Sequence, residues 1–276
     1  MYLDFYGLKE NPFNVTSDPS FLYLSNTHKE AIDHIKYGID HKKGFLEITG
    51  EVGAGKTTLC RALMNQFDHK VKTALIFNSN LSEIQLLEAI VNDFGIKPKQ
   101  RNKVALLNAL NEFLLEQLKY GNNSVLIIDE AQNLKSRTLE TIRMLSNLET
   151  EKEKLLQIVL VGQPELREKL LLPRLRQLRQ RIAVRYHLNT LDSQEIRNYI
   201  DHRLQIAGPP ETLFFQPEAI DKIYDYSCGI PRIVNILCDK VLLLGFVQET
   251  FSIDRTIVEK SIEELEGNFN VAKVVV

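Results

Sequence analysis

The stretch Gly50-Glu51-Val52-Gly53-Ala54-Gly55-Lys56-Thr57-Thr58 decides the fold, because it joins an apolar run before it to a helix-patterned run after it. Four residues separate Gly50 from Gly55, and a lysine and a threonine follow, which is the spacing of a loop that binds nucleotide phosphates. Glycines in such a loop let backbone N–H groups turn inward toward an anion. The helix that follows directs its N-terminus at the same anion. The stretch therefore predicts a phosphate-binding loop rather than a chance glycine turn.

The loop pattern gives its residues different expected roles. Lys56 is expected to reach the β- and γ-phosphates of the nucleotide, and the Thr57 hydroxyl is expected to ligate Mg²⁺. The predicted nucleotide-binding residues of the loop are Gly50, Val52, Gly53, Ala54, Gly55, Lys56, Thr57 and Thr58.

Length and composition are those of an ordinary globular protein with one large domain or two smaller ones. The chain has 276 residues, of which 44% are hydrophobic and 25% are charged, and its formal net charge is −2. Such a charge gives no global attraction to nucleic acid or to anionic membranes, so either kind of binding requires a local patch. The N-terminus lacks a secretory signal pattern, and the apolar runs are shorter than the roughly 20 residues that span a bilayer. A cytoplasmic location without a direct transmembrane segment is therefore predicted.

Apolar strand-like runs alternate with amphipathic helical runs along the first two thirds of the chain. Because strands buried on both faces read as continuous apolar runs, this pattern predicts an α/β fold with a five-stranded parallel sheet flanked by helices. Ligands of such a sheet bind at the carboxyl ends of its strands. Gly50, Asp129 and Gln163 follow predicted strands and are expected at that edge. The predicted strands span residues 45–49, 72–77, 124–128, 157–162 and 182–187.

The pattern becomes purely helical after about residue 190, where helix starts are predicted at Asp192, Pro217, Pro231 and Asp254. We therefore predict a nucleotide-binding core with an N-terminal extended segment over residues 1–190. A small all-helical lid domain is predicted over residues 191–266, and a tail over residues 267–276. The tail is apolar, and its role stays unassigned.

Polar side chains follow two of the predicted strands. Asp129 is expected to hold the hydration shell of Mg²⁺, and Glu130 is expected to orient and polarise an attacking water. Gln163 is expected to hydrogen-bond the γ-phosphate or the same water. The structural alternatives are a strand that simply ends in two acids, and a glutamine that caps the turn before the next helix.

Basic side chains are concentrated between Arg167 and Arg185, where seven arginines and lysines stand against one acid, for a local charge of +6. Three interpretations stay open: a solvated helix face, an arginine finger for the nucleotide of a neighbouring subunit, and a polyanion-binding patch. Arg179 and Arg181 are the finger candidates. In the helical region, Arg232 follows a Gly-Ile-Pro turn and is interpreted as a contact to the γ-phosphate, with a helix-surface arginine as the alternative.

The order of these motifs along the chain resembles that of an AAA+ ATPase. Residues 1–8, 11–13 and 18–24 are similar to the start of the general secretion pathway protein A group, and residues 162–166 and 175–182 are similar to it as well. The resemblance covers nearly all of residues 1–266. It implies a Walker-type ATPase with ATP and Mg²⁺ as cofactors, in which Lys56, Thr57, Asp129 and Glu130 act as described above. It also implies Gln163 as sensor 1, Arg232 as sensor 2, and a finger at Arg179 or Arg181.

The resemblance further implies partners and a location. Family members act in assembling secretion or pilus machinery at the inner membrane, so a homo-oligomer in the cytoplasm, or peripheral at that membrane, is expected. Many members continue into a transmembrane segment and a periplasmic peptidoglycan-binding domain. Two interpretations of this sequence stay open: an excised cytoplasmic domain, and a short relative that works through partners. The alternative is a transposition regulator of the MuB/TniB kind, which shares this core and polymerises on DNA with ATP. The basic segment keeps this alternative open, although the overall charge does not favour it. A nucleotide-gated switch with negligible turnover is a third interpretation.

Overall fold

The computed structural model describes residues 1–16, 18–77, 81–208 and 212–267. The chain divides into two compact units, and each contains its own buried apolar cluster. The sheet unit comprises Asn26–Val52 and Lys56–Asn189. The helical unit comprises Met1–Ser25, Gly53–Gly55 and Thr190–Val276. The sheet unit is therefore continuous except for three residues of the glycine loop, whereas the helical unit is assembled from both ends of the sequence.

The helices and strands follow one another with short connections. The helices are α1 (Tyr2–Tyr6), α2 (Asn26–Asp40), α3 (Lys56–Gln66), α4 (Glu83–Asp93), α5 (Lys103–Lys119), α6 (Ser136–Leu145), α7 (Pro164–Leu170), α8 (Arg176–Arg181), α9 (Ser193–Ala207), α10 (Pro217–Ser227), α11 (Pro231–Val247) and α12 (Arg255–Leu265). The strands are β1 (Phe45–Gly50), β2 (Val71–Ile76), β3 (Asn123–Ile128), β4 (Gln157–Gly162), β5 (Ile182–Leu188), β6 (Phe214–Phe215) and β7 (Ser252–Ile253).

The first five strands form one parallel sheet in the order β2-β3-β4-β1-β5. Every residue of β1 and of β4 is buried, as expected for central strands of a sheet that helices cover on both faces. The five predicted strands are confirmed to within one residue at each end. Ser82 and Gln85 form the reciprocal hydrogen bonds of a capping box at the start of α4.

The pairing register brings three strand ends to one edge of the sheet. Thr49 of β1 pairs with Gly162 of β4, and Ile128 of β3 pairs with Leu160 of β4. Since β4 lies between β1 and β3, the residues that follow these three strands meet at the carboxyl edge of the sheet.

The helical unit contains α9 to α12, and each of these helices begins next to its predicted start. Asp192 caps α9 by accepting the Glu195 N–H at 2.8 Å, and Asp254 caps α12 by accepting the Ile257 N–H at 2.9 Å. The prediction of an all-helical lid left out one feature, the parallel pair of two-residue strands β6 and β7. The tail is described only at Gly267, so residues 268–276 of the predicted tail lie outside the described residues.

The N-terminal segment packs in the helical unit, whereas the sequence placed it with the nucleotide-binding core. Arg203 of α9 is buried and donates from Nε to the Pro12 carbonyl at 2.5 Å and from Nη2 to the Asn14 carbonyl at 3.1 Å. Its guanidinium lies 4.8 Å from the ring centroid of Phe21, a cation–π contact. The segment opens with the short helix α1 rather than with extended chain. Its partners are distant in sequence, so local patterns gave no sign of this packing.

No helix in residues 1–16, 18–77, 81–208 and 212–267 combines the length and apolar character that crossing a membrane requires.

Glu47 is a buried acid in the middle of β1, only 3% exposed. Arg185 of β5 donates from Nε to Glu47 Oε2 at 3.1 Å. Burial raises the pKa of Glu47, and the neighbouring Arg185 guanidinium opposes that shift without cancelling it. The sheet therefore holds a carboxylate whose charged form is disfavoured at this position.

Glu47→Gln is expected to increase the free energy of unfolding at pH 7, because the amide removes the buried charge and its oxygen still accepts from Arg185. A folded-state pKa above the unfolded-state value of about 4.3 means that the parent loses stability as pH rises from that value through the folded-state pKa. The advantage of the variant is therefore expected to disappear below about pH 4. Urea unfolding at the two pH values measures it, and a variant less stable than the parent at pH 7 contradicts the prediction.

Candidate functional site

The loop after β1 depends on glycine at several positions. Gly53 and Gly55 have φ values of +82° and +92°, which lie in the left-handed region that disfavours side chains. Gly50 ends β1 against β5, where an added Cβ would lie 2.8 Å from the Leu188 carbonyl oxygen. The loop therefore has the tight backbone that a phosphate-binding turn requires.

Lys56 begins α3 and is 5% exposed. Its Nζ donates to the carbonyl oxygens of Gly50 and Glu51, both at 2.8 Å. Burial lowers the pKa of Lys56, and the carboxylates of Glu130 and Asp129 oppose that shift. The ammonium is thus held against the base of the loop and in the field of the two acids that follow β3.

Thr57 and Asp129, which the sequence assigned to one metal ion, are in direct contact. Thr57 Oγ1 donates to Asp129 Oδ2 at 2.5 Å, and Asp129 Oδ1 accepts the Glu130 N–H at 2.8 Å. Asp129 is 1% exposed. Burial raises the pKa of Asp129, while the hydrogen bonds from Thr57 and from the Glu130 backbone oppose that shift.

The donor set at this position fits Mg²⁺ bound with a nucleotide. A hydroxyl and a carboxylate are hard oxygen ligands, and Mg²⁺ is commonly held by one or two carboxylates together with substrate phosphates. Across the described ranges, no cluster of three or more His, Cys, Asp or Glu side chains offers an all-protein metal site. A metal ion at Thr57 and Asp129 would take the rest of its coordination from nucleotide phosphates and water.

Glu130 and Gln163 are also brought together. Gln163 Nε2 donates to Glu130 Oε2 at 3.1 Å. Gln132, which the sequence did not single out, donates from Nε2 to the same oxygen at 2.5 Å and accepts the Gln163 N–H on Oε1 at 3.1 Å. The sequence signal for Gln132 was an amide two positions after the acid pair, which is weak by itself.

Arg232 is the second residue of α11 and belongs to the helical unit, which also contains Gly53–Gly55. Its backbone N–H donates to the Gly53 carbonyl at 3.3 Å. An added Cβ on Gly53 would lie 2.5 Å from Arg232 Cβ, so the start of α11 requires glycine at that point of the loop.

The two finger candidates differ in their surroundings. Arg181 Nη1 donates to Ser146 Oγ at 2.6 Å and to Asn147 Oδ1 at 2.5 Å, so its guanidinium is held by its own chain. Arg179 is half-exposed, and within the part of the chain that the structure describes its side chain has no hydrogen bond or ion pair. Arg179 is therefore the candidate that is more available to another molecule.

The remaining predicted loop residues differ in exposure. Val52 is 51% exposed and Ala54 is 1% exposed. Thr58 is half-buried in the first turn of α3. Because the side chains of Val52 and Ala54 carry no polar group, any contribution of these two residues to phosphate binding would come from the backbone.

A five-stranded parallel sheet, a glycine loop with its lysine at the end of β1 and an acid pair at the end of β3 are the features of a P-loop ATPase. The family model described as an AAA domain matches residues 39–170. Residues 39–170 therefore form an AAA domain, and the chain is a P-loop ATPase.

The chain is similar to general secretion pathway protein A of Aeromonas hydrophila, with 41% identity over 268 residues. The match covers 97% of this chain and 49% of the relative, so the chain spans about half the length of that curated protein. The family resemblance read from the motifs is thereby confirmed.

Solved structures confirm the fold. The ORC2 protein of Aeropyrum pernix, solved as ADPNP–ADP complexes, aligns with a TM-score of 0.67 and 20% identity over 93% of this chain and 72% of that one. The RuvB Holliday junction branch migration motor of Thermotoga maritima aligns with a TM-score of 0.56 and 19% identity over 86% of this chain and 68% of that one. At these identities the likeness concerns the fold alone.

Proposed function

We propose that the chain binds ATP with Mg²⁺ at the loop after β1 and hydrolyses it with Glu130 as the group that activates water. The observation that carries the proposal is the 2.5 Å hydrogen bond from Thr57 to Asp129, which places a hydroxyl and a carboxylate at one potential metal position. Lys56 supports it from the same loop, since its ammonium is held beside the Gly50 and Glu51 carbonyls.

The proposed roles divide between binding and chemistry. The loop backbone and Lys56 bind the phosphates, while Thr57 and Asp129 hold the metal ion. When bound, Mg²⁺ neutralises charge on the phosphate oxygens. Glu130 accepts a proton from, or orients, the attacking water, and Gln163 contacts that water or the γ-phosphate from the end of β4. Arg232 is proposed to report the nucleotide to the helical unit.

Glu130→Gln is expected to bind ATP as the parent does and to lose at least about 100-fold in hydrolysis, because the amide no longer accepts a proton. Lys56→Ala is the matched comparison and is expected to lose ATP binding. Binding of a fluorescent ATP analogue and release of inorganic phosphate separate the two effects. Hydrolysis at the parental rate in Glu130→Gln would show that the assignment of the base is wrong.

We propose further that the active form is a homo-oligomer in which Arg179 contacts the ATP of the neighbouring subunit. The proposal is supported by a difference in hydrogen bonding: the Arg181 guanidinium already donates to Ser146 and Asn147, whereas the Arg179 side chain does not do so. An arginine supplied in trans is worth about 10³- to 10⁵-fold in turnover in phosphoryl transfer. A missing finger would therefore leave almost no activity in a pure variant.

Mixing Arg179→Ala with Lys56→Ala is expected to restore hydrolysis, because the first variant keeps its ATP site and the second supplies the missing arginine. Each variant alone is expected to be inactive. Arg181→Ala is the comparison, and it is expected to lower thermal stability. A mixture of Arg181→Ala with Lys56→Ala is expected to hydrolyse no more ATP than the Arg181→Ala subunits do alone. Phosphate release across a series of mixing ratios measures the effect. A mixture no more active than its components removes the Arg179 proposal.

The proposed cellular role is that of a cytoplasmic motor or switch in assembling secretion or pilus machinery, acting peripherally at the inner membrane through partner proteins. It is supported by the name of the similar Aeromonas protein. The rival is an ATP-dependent filament on DNA. The exposed side chains of Arg174 and Arg176 within the basic segment favour this rival, whereas the net charge of −2 does not.

Light scattering with ATP, with DNA and with both is expected to distinguish the two roles. The secretion-type motor predicts assembly with ATP alone and phosphate release per subunit that rises with protein concentration. A DNA filament predicts scattering that needs both components and falls steeply with added salt, because counterions are released from the phosphate backbone. Assembly that requires DNA would overturn the secretion role in favour of the rival.

A further inference from the structure

Glu130 has an unusual backbone for a residue with a side chain. Its φ and ψ are 52° and 36°, in the left-handed region, which is strained for a non-glycine residue. It precedes the 3₁₀ turn Ala131–Asn133, and its carbonyl accepts the Asn133 N–H at 3.0 Å. Strained conformations of this kind persist where the surrounding structure holds them in place.

Gln132 holds the Glu130 side chain from within that turn. Its Nε2 donates to Glu130 Oε2 at 2.5 Å, and its Oε1 accepts the Gln163 N–H at 3.1 Å. The amide nitrogen of Gln132 therefore binds the acid, and its oxygen binds the backbone that follows β4. The Glu130 carboxylate is thereby connected through Gln132 to the residue that follows β4.

The neighbours of Gln132 fit this bridging position. An added Cβ on Gly162 would lie 2.7 Å from Gln132 Oε1, so the absence of a side chain there leaves room for the amide. Lys169 of α7 donates from Nζ to the Gln132 carbonyl and to the Leu134 carbonyl, the latter at 2.9 Å. Burial lowers the pKa of Lys169, and the nearby Arg174 guanidinium lowers it further. Both the backbone and the side chain of Gln132 are fixed from outside the turn.

We propose that Gln132 is a positioning residue, which orients the Glu130 carboxylate for the activation of water. The inference rests on the proposed role of Glu130 and assigns no nucleotide contact to Gln132. A base that is misplaced by about 1 Å loses on the order of 100-fold in rate even when its chemistry is intact. Removing the amide therefore acts on turnover through Glu130 and leaves nucleotide binding unchanged.

Gln132→Met tests this role, because methionine keeps the length of the side chain and removes both hydrogen bonds. The expected result is a fall in kcat of about 10- to 100-fold with KM and the dissociation constant for ATP within about twofold of the parent. The matched control is Gln205→Met on α9, where the glutamine is exposed, and parental kinetics are expected. Parental kcat in Gln132→Met, or a loss confined to KM, overturns the proposal.

Two further variants separate positioning from general damage. Gln132→Glu keeps an acceptor for the Gln163 N–H and replaces the donor toward Glu130 with a like charge, so kcat is expected to fall at least as far as in Gln132→Met. A parental kcat in Gln132→Glu shows that only the bond to Gln163 matters and overturns the proposal.

Gly162→Ala crowds Gln132 Oε1 without changing the amide itself. It is expected to lower kcat and to leave ATP binding unchanged. An unchanged kcat in Gly162→Ala contradicts the proposal even if a Gln132 variant fails to fold.

The outcomes also separate this inference from the proposed function. If the parent protein releases no phosphate from ATP, the proposed function fails. If Glu130→Gln abolishes hydrolysis while Gln132→Met turns over at the parental rate, the proposed function stands and the positioning role of Gln132 fails.

Discussion

The parallel pairing of β4 with β1 on one side and β3 on the other is the constraint on which the candidate site depends. Adjacent strands lie about 4.8 Å apart, so the ends of β1 and β3 are separated by about 10 Å. The glycine loop after β1 leads to Thr57 at the start of α3, and the hydrogen bond from Thr57 to Asp129, which follows β3, closes that gap. A slip of one residue in β3 would turn Asp129 to the other face of the sheet and remove this contact.

Two buried ionisable groups at the same edge of the sheet carry a desolvation penalty. Asp129 is 1% exposed and Lys56 is 5% exposed, so both ionisable groups are largely withdrawn from water. Burial raises the pKa of Asp129 and lowers the pKa of Lys56, and the attraction between their charges opposes both shifts. A hydrophobic pair at these positions would avoid the desolvation penalty. The arrangement is therefore better explained by ligand binding than by the stability of the sheet.

Local patterns were sufficient for the strands, and they were sufficient to predict that Lys56 and Asp129 follow strands that end at one edge of the sheet. Lys56 and Asp129 were predicted because each directly follows a continuous apolar strand or its glycine loop. Gln132 was missed because its importance arises from the left-handed backbone of Glu130 and from the space at Gly162, neither of which is visible in a sequence pattern. Arg181 was an equal candidate with Arg179 for the same reason, since the charge of a segment does not show which guanidinium is already bonded.

The contact between Arg203 and the carbonyl of Pro12 joins groups that are 191 residues apart in sequence. Ribosomes add about 5–20 residues per second, so roughly 10–40 s separate the synthesis of the two partners. During that interval the nascent chain carries Phe13 and Phe21 without the pocket that buries them, while the whole sheet unit is completed. In topological terms the sheet unit is an insertion within the helical unit, and the outer unit closes only after the inner one has been made.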